Sequence, residues 1–590
     1  MSLYNQRLFA ATRYVALVIL LLAFIEIALR IAGGEPEYPL IDSLRVSGEL
    51  RYRIHPRIGE RFVELPDSLI PAAPPVTFRL PKEENTLRLV ALGGLSTRGF
   101  PYEVNAGYPF QLQFRLRNAL LDNWVEVLNL GYPWLTVPRM QKLLPEILSL
   151  QPDLILIQPG EPDLLLSEPE ALPWYHPRRW GRALSRLQLV RRMDAMLFSP
   201  ERDSLPPVHF PKYFRSVLLC RDSLPELTPE ELSRRLHRME NQLVQVVSAA
   251  RRDSVLVLLA TLPRPTPCRN ASRHAIVNRL NDLIRRVGRQ TDVPVVEVEA
   301  AFAAARRAGW ADSRLFYPTG LLTFDGHRLL AQTLYQALYA IQFNHPLEPV
   351  VYRDTLLTIE QLQQVVEDFP RDSAAVTPLD LEIGNLRHFL FAGGKRYALT
   401  PGELVGYIPV ENALTRDLAF RHLKGELGWE YAHYRLAEHY ARQKRYRRVL
   451  REYRAVNLSF YELYLPHLLI GDLYTVQGNY PEALWWYENA RQRAPENPRV
   501  LAKLGNALTL AHRFAQAIAP LEQALAADQR QPVFAPPMRA TLYYLLAVSY
   551  ANLKQFQSAE AALKNALRAQ PGFPAALELQ QKIREFRERR

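Results

Sequence analysis

Residues able to carry acyl transfer recur just beyond short apolar runs. Ser96 and Thr97 follow Leu87–Leu92, and Asp163 follows Asp153–Gln158. Asp325 and His327 lie further along, after Val293–Val298. A hydroxyl activated by an imidazole, itself oriented by a carboxylate, is the set that nucleophilic attack on an ester needs. Ser96, Asp325 and His327 are therefore the candidate catalytic residues. The Asp325–His327 spacing of i,i+2 near a helix start counts against them, because such residues do not face each other. The two cysteines, Cys220 and Cys268, are too few for a Cys-based zinc site. No metal or cofactor is expected. The pair could form a disulfide; a free buried thiol is the alternative.

These residues need elements to hold them. Leu87–Leu92, Val125–Leu130, Asp153–Gln158, Ser254–Thr261 and Val293–Val298 are short apolar runs that read as buried parallel strands. Amphipathic stretches lie between them. One opens at Thr228, the expected N-cap, with Pro229 at the first helical position and Glu231 completing a capping box. Alternating strands and helices predict a three-layer α/β sandwich with a parallel sheet. Ligands in such folds bind beyond the carboxyl ends of the strands.

The residues at those ends resemble the SGNH/GDSL hydrolase family. The first strand ends Gly93-Gly94-Leu95-Ser96-Thr97-Arg98-Gly99, similar to the family's G-G-S-T-T-x-G. Val127-Leu128-Asn129-Leu130-Gly131 resembles V-x-N-x-G. Pro152-Asp153-Leu154 through Gly160-Glu161-Pro162-Asp163 resembles P-D-L-x-x-x-x-x-G-x-N-D. Pro318 through Gly326-His327 and Ala331 resembles D-x-x-H-P-x-x-x-G-H-x-x-x-A. The resemblance places the family's nucleophile at Leu95, its oxyanion-hole Asn at Pro162, its Asp at Pro318 and its His at Leu321. Gly131 is retained. On that register four chemical positions are apolar within a kept framework. Ser96 stands one residue along the turn from the nucleophile position, so its side chain should point elsewhere. Gly326-His327 reads as the pair that opens the family's last helix.

Pro173–Pro225 interrupts the alternation and is rich in Trp, Tyr, Pro and Arg. It could be a lid or an insertion packing on the next domain. From Pro346 to Glu430 no pattern emerges: Thr358–Asp368 reads as a helix, Arg371–Asp380 as a loop and Ala392–Lys395 as a turn.

A period then begins. Leu436-Ala437, Ile470-Gly471, Leu504-Gly505 and Leu546-Ala547 are equivalent, with their small residues 34, 34 and 42 apart. Tyr440, Tyr474, Leu508 and Tyr550 follow three places on. Val449, Ala483, Ala517 and Ala559 follow twelve places on. The pattern closely resembles the tetratricopeptide repeat, which implies an all-α solenoid that binds protein. The extra eight residues of the third repeat fit a Pro-rich loop at Gln531–Arg539, and a basic final helix caps the array. Arg442, Lys444, Arg445, Arg447, Arg448 and Arg451 are the candidate groove residues; a solvated helix face is the plain alternative.

The 590 residues carry 73 Lys+Arg against 60 Asp+Glu, a net charge of +13. From Tyr431 onward the balance is 23 against 13, so ten of those charges belong to the repeats. No nucleic-acid motif accompanies them.

Tyr14–Gly34 is an apolar run, and about 20 residues of helix span roughly 30 Å of hydrocarbon. Arg7 and Arg13 precede it, while Glu35, Glu37 and Asp42 follow. That bias predicts one transmembrane helix in the cytoplasmic membrane, with the N-terminus inside and the bulk of the chain outside. A cleaved signal peptide is the competing reading. Glu26 pairs with Arg30 near the outer interface or meets a partner's membrane helix.

The division expected is a cytoplasmic end (1–13), an anchor (14–34), a linker (35–84), an SGNH-like domain (85–345), a connecting region (346–430) and the repeats (431–590). The function expected is a non-catalytic scaffold in an envelope or membrane complex, in contact with the bilayer and with other membrane proteins. The alternatives are an acyl-ester hydrolase or O-acyltransferase on envelope glycans, and a carbohydrate-binding module.

Overall fold

The computed structural model describes residues 39–46, 49–55, 58, 76–120, 124–132, 135–160, 228–265, 271–317, 320–342, 376–393 and 412–588. The chain folds as two compact units. The first comprises Met1–Leu44, Arg51–Pro370 and Pro378–Leu427. The second comprises Arg45–Leu50, Arg371–Thr377 and Gly428–Arg590. Pro378–Leu427, part of the expected connecting region, therefore belongs with the α/β residues.

Ahead of the main sheet in the chain is a small one in the order β1 (Ile41–Val46), β2 (Glu49–Ile54), β3 (Thr77–Phe78). The main sheet contains β4 (Thr86–Gly93), β5 (Trp124–Gly131), β6 (Leu154–Gln158), β7 (Leu256–Ala260) and β8 (Val295–Val296). Its order is β5-β4-β6-β7-β8, with every pairing parallel. The five apolar runs are the five strands. The last is shorter than expected: Val298 opens a helix, and only Val295 and Val296 pair with β7.

Seven helices surround the sheet or cap its strands: α1 (Leu95–Arg98), α2 (Tyr108–Ala119), α3 (Val137–Ser149), α4 (Pro229–Arg252), α5 (Ala271–Thr291), α6 (Val298–Arg307) and α7 (Asp312–Leu315). An eighth, α8 (Phe324–Gln342), follows them. α2 and α6 pack on α8, while α3 and α5 pack on α4, giving the two outer layers. Leu89, Ala91, Val125, Val127, Leu154, Leu156, Leu258 and Ala260 enter one core cluster with Phe302, Leu330 and Leu334. The alternate residues Val90, Leu92, Ile155, Ile157, Val257 and Leu259 are buried too, as a sheet covered on both faces requires. The Thr228 hydroxyl accepts from the Glu231 amide at 3.2 Å, so the predicted cap forms. The box is not closed, because the Glu231 carboxylate turns to Arg235.

Two further helices, α9 (Pro378–Gly393) and α10 (Ala413–Leu423), complete this unit. α9 takes in residues read from the sequence as loop and turn: Pro378–Asp380 begin it and Ala392–Gly393 end it. Thr358–Asp368, Pro173–Pro225, Cys220 and Cys268 lie outside the described residues.

The second unit is a stack of helix pairs: α11 (Trp429–Arg442) with α12 (Tyr446–Ser459), α13 (Tyr464–Val476) with α14 (Tyr480–Arg493), α15 (Pro498–Leu510) with α16 (Phe514–Arg530), and α17 (Pro536–Asn552) with α18 (Phe556–Ala569). The closing helix is α19 (Pro574–Glu588). The repeated small residues sit where paired helices touch. A Cβ on Gly471 would lie 2.6 Å from the Tyr487 ring, and one on Gly505 would lie 2.5 Å from Leu521. The eight extra residues do not form the expected long loop. α16 and α17 each run to 17 residues, and only Gln531–Ala535 separate them. The buried Asp528 carboxylate fixes that turn, accepting from the Val533 and Phe534 amides at 2.7 and 2.8 Å and pairing with Arg539.

Candidate functional site

β4 and β5 end together, with Gly93 opposite Gly131 in register. The chain leaves β4 through Gly94 and makes the single turn of α1, which lies against the end of β5. Gly131 is small because of that contact: a Cβ there would lie 2.2 Å from the Arg98 nitrogen and 2.5 Å from the Thr97 carbonyl carbon. Asn129 ties the corner. Its Oδ1 accepts from the Gly131 amide at 2.9 Å, and its Nδ2 donates to the Arg98 carbonyl at 3.3 Å. The Arg98 guanidinium lies over the Tyr132 ring, 4.8 Å from its centroid. The spacing of Gly93, Asn129 and Gly131 thus encodes packing at the carboxyl end of the sheet.

The nucleophile register position, Leu95, is buried on α1, as is Leu321 in the turn before α8. Ser96 is half-buried, and Thr97 is fully buried with its hydroxyl accepting from the Tyr108 hydroxyl at 3.1 Å. Asp325 accepts from Arg314 at 3.0 Å and from Arg328 at 3.2 Å. His327 is fully buried between the rings of Tyr102 and Tyr108. Its Nε2 faces the Phe100 carbonyl at 3.5 Å, and burial pushes its pKa down to about 4. No hydrogen bond joins Ser96, Asp325 and His327 to one another. The Thr323 hydroxyl accepts from the Gly326 amide at 3.2 Å, so Gly326 and His327 form the first turn of α8. Pro162, Asp163 and Pro318 lie outside the described residues.

The tyrosines carry no signal in the sequence motifs. The Phe324 amide donates to the Tyr102 hydroxyl at 3.0 Å, and the Tyr102 and Tyr317 hydroxyls are 2.7 Å apart. Tyr317 donates in turn to Asn385 of α9 at 2.8 Å. Burial raises both phenols, Tyr317 to about 12. Beside them Glu103 pairs with Arg387 and lies 3.1 Å from His422. Burial would raise the Glu103 carboxyl, but Arg387 and His422 outweigh it and hold it well below the usual carboxylate range. Tyr102 and Glu103 could have been singled out by their place just after the Gly99 turn. Nothing local pointed to their partners in α9 and α10.

Residues 91–322 match the GDSL-like Lipase/Acylhydrolase family, and residues 475–535 match the Tetratricopeptide repeat. The chain contains a GDSL-like domain and tetratricopeptide repeats. The GDSL-like domain is similar to LAE5, described as an alpha/beta hydrolase enzyme from the metagenome of Lake Arreo, Spain. The identity is 18%, covering 43% of this chain and 96% of that one, with a TM-score of 0.29. It is also similar to Axe2, an acetylxylan esterase from Geobacillus stearothermophilus, at 15% identity over 42% of this chain and 93% of that one, TM-score 0.28. YrrB, described as a TPR protein with an unusual peptide-binding site, matches at 18% identity over 31% of this chain and 88% of that one, TM-score 0.24. No curated protein matches the chain.

In the repeats, the first helices of successive pairs pack on one another: α13 on α15, α15 on α17 and α17 on α19. They form one layer of the stack. Arg442 ends α11 and pairs with Glu438 at 2.7 Å. Lys444 sits in the turn, Arg445 is the N-cap of α12, and Arg447, Arg448 and Arg451 lie in its first half, in the other layer. All are exposed except the half-buried Arg451. Among the described residues, no group of His, Cys, Asp and Glu could hold a metal, and no helix is long and apolar enough to cross a membrane. The run Tyr14–Gly34, with Glu26 and Arg30, lies outside those residues.

Proposed function

We propose that this chain is a membrane-anchored docking protein, in which the repeats bind partner proteins and the GDSL-like domain no longer hydrolyses esters. One observation carries the reading. The Thr97 hydroxyl, the Asp325 carboxylate and the His327 imidazole each have structural partners, and no hydrogen bond links the Ser96 hydroxyl to Asp325 or His327. A general base must reach the proton it abstracts. His327 is instead enclosed by aromatic rings and faces a backbone carbonyl. The apolar residues Leu95 and Leu321, with Pro162 and Pro318 in the sequence, add to that support. The Tyr14–Gly34 run would hold the chain in the cytoplasmic membrane, with everything after Gly34 outside and close to other membrane proteins.

A fluorophosphonate probe tests the catalytic part. The expected result is no stoichiometric label. Labelling that disappears in Ser96→Ala would instead establish an acyl-ester hydrolase or acyltransferase using Ser96, Asp325 and His327. The anchor is tested by alkaline carbonate extraction of native membranes, which should leave the protein in the pellet.

A further inference from the structure

α9 and α10 lie beyond the residues that match the hydrolase family, yet they touch the two segments that flank its reaction centre. One segment is Phe100–Glu103, directly after α1. The other is Tyr317, next to position 318. Four residues on α9 make these contacts. Gly384 lets the helix backbone approach the Tyr102 ring so closely that a Cβ would lie 2.3 Å from Cδ1. Asn385 accepts from the Tyr317 hydroxyl. Arg387 donates to the Pro101 carbonyl at 2.8 Å and pairs with Glu103. His388 stacks on Tyr317, with centroids 4.1 Å apart and planes 16° from parallel. Positions 384, 387 and 388 share one helix face. From α10, His422 reaches Glu103, and Arg416 holds the α9 residue Glu382 in a second buried pair.

We propose that α9 and α10 form a built-in cap, which lies in cis over the Phe100–Glu103 turn and Tyr317 and keeps ligands from them. The occupant meets these residues as a ligand would. A planar ring stacks on Tyr317, an amide oxygen accepts a hydrogen bond from its hydroxyl, and a guanidinium pairs with the Glu103 carboxylate. The contacts on these two segments are hydrogen bonds, an ion pair, a ring stack and one close glycine approach, which fix its register. A buried ion pair contributes little net stability, although losing one partner is costly. Such an element is specific in position and can be released without unfolding the sheet beneath. The cap stands whether or not the domain retains chemistry, so it goes beyond the function proposed above.

Tyrosine footprinting with N-acetylimidazole on the full chain tests the cap, using Arg387→Ala and Gly384→Leu as independent lesions. In the unaltered chain Tyr102 and Tyr317 should react at least tenfold more slowly than the exposed Tyr431. Each substitution should raise their reaction at least tenfold while Tyr108, beneath α1, stays protected. The proposal is overturned if Tyr102 and Tyr317 already react as fast as Tyr431, or if both variants leave them protected. It is also overturned if Tyr108 is unmasked with them, because the two helices would then be part of the core.

Discussion

Alanine at Gly131 and alanine at Gly94 should have opposite outcomes, although the two glycines lie at the same corner. At Gly131 the new Cβ meets backbone at 2.2 and 2.5 Å, short of ordinary contact by roughly an ångström. The neighbour is α1, which cannot yield cheaply. Asn129 holds its last carbonyl, Tyr108 holds the Thr97 hydroxyl, and the Arg98 guanidinium rests on Tyr132. Moving α1 off the strand end forfeits these at about 1 kcal/mol each and adds overpacking of about 1–3 kcal/mol. The expected cost of Gly131→Ala is therefore about 4–6 kcal/mol, which lowers the melting point of a unit this size by roughly 10 °C. At Gly94 a Cβ meets nothing within 4 Å, so Gly94→Ala should stay within about 1 kcal/mol of the parent. Because the chain has two units, hydrogen exchange of peptides covering α1 and α2 should accompany the melt. Equal stability of the two variants would refute the reasoning. It would mean that Gly131 is not held small by packing of α1 on β5.

Two other outcomes follow from the buried polar groups. His327, His388 and His467 are each pushed down to about 4, first by burial, so the fold favours their neutral forms. The unfolded chain takes up those protons below about pH 6.5, so stability should fall from there to about pH 4, by up to roughly 3 kcal/mol for His327 alone. Glu103, held low, should add a further loss below about pH 4.5. Melts at pH 7, 6 and 5 check the sign, and a rise in stability on acidification would contradict it. In the repeats, Asp528→Ala should cost about 2–4 kcal/mol, because two turn amides and Arg539 lose a buried acceptor. Exchange at Val533 and Phe534 should accelerate while the α/β unit keeps its melting point.

The sequence by itself determined whatever is written in local periodicity. Five apolar runs specified five parallel strands, because residues buried on both faces must be apolar throughout. Small residues recurring every 34 positions specified the repeats, since paired helices touch only where side chains are short. Register with the family located Leu95 and Gly131 at the strand ends and Leu321 in the turn before α8. Tertiary structure decided the rest. The eight extra residues lengthened two helices because one buried carboxylate, Asp528, turned the chain in five residues. The fate of Asp325 and His327 depended on Arg314, Arg328 and Phe100, contacts that no spacing rule foresees. The cap shows this most clearly. Arg387 and Glu103 stand 284 residues apart, and a polar side chain carries no periodic mark of the partner it will meet. Apolar burial repeats with the geometry of the backbone and can be read one element at a time. A specific polar contact exists only once two distant elements are in place.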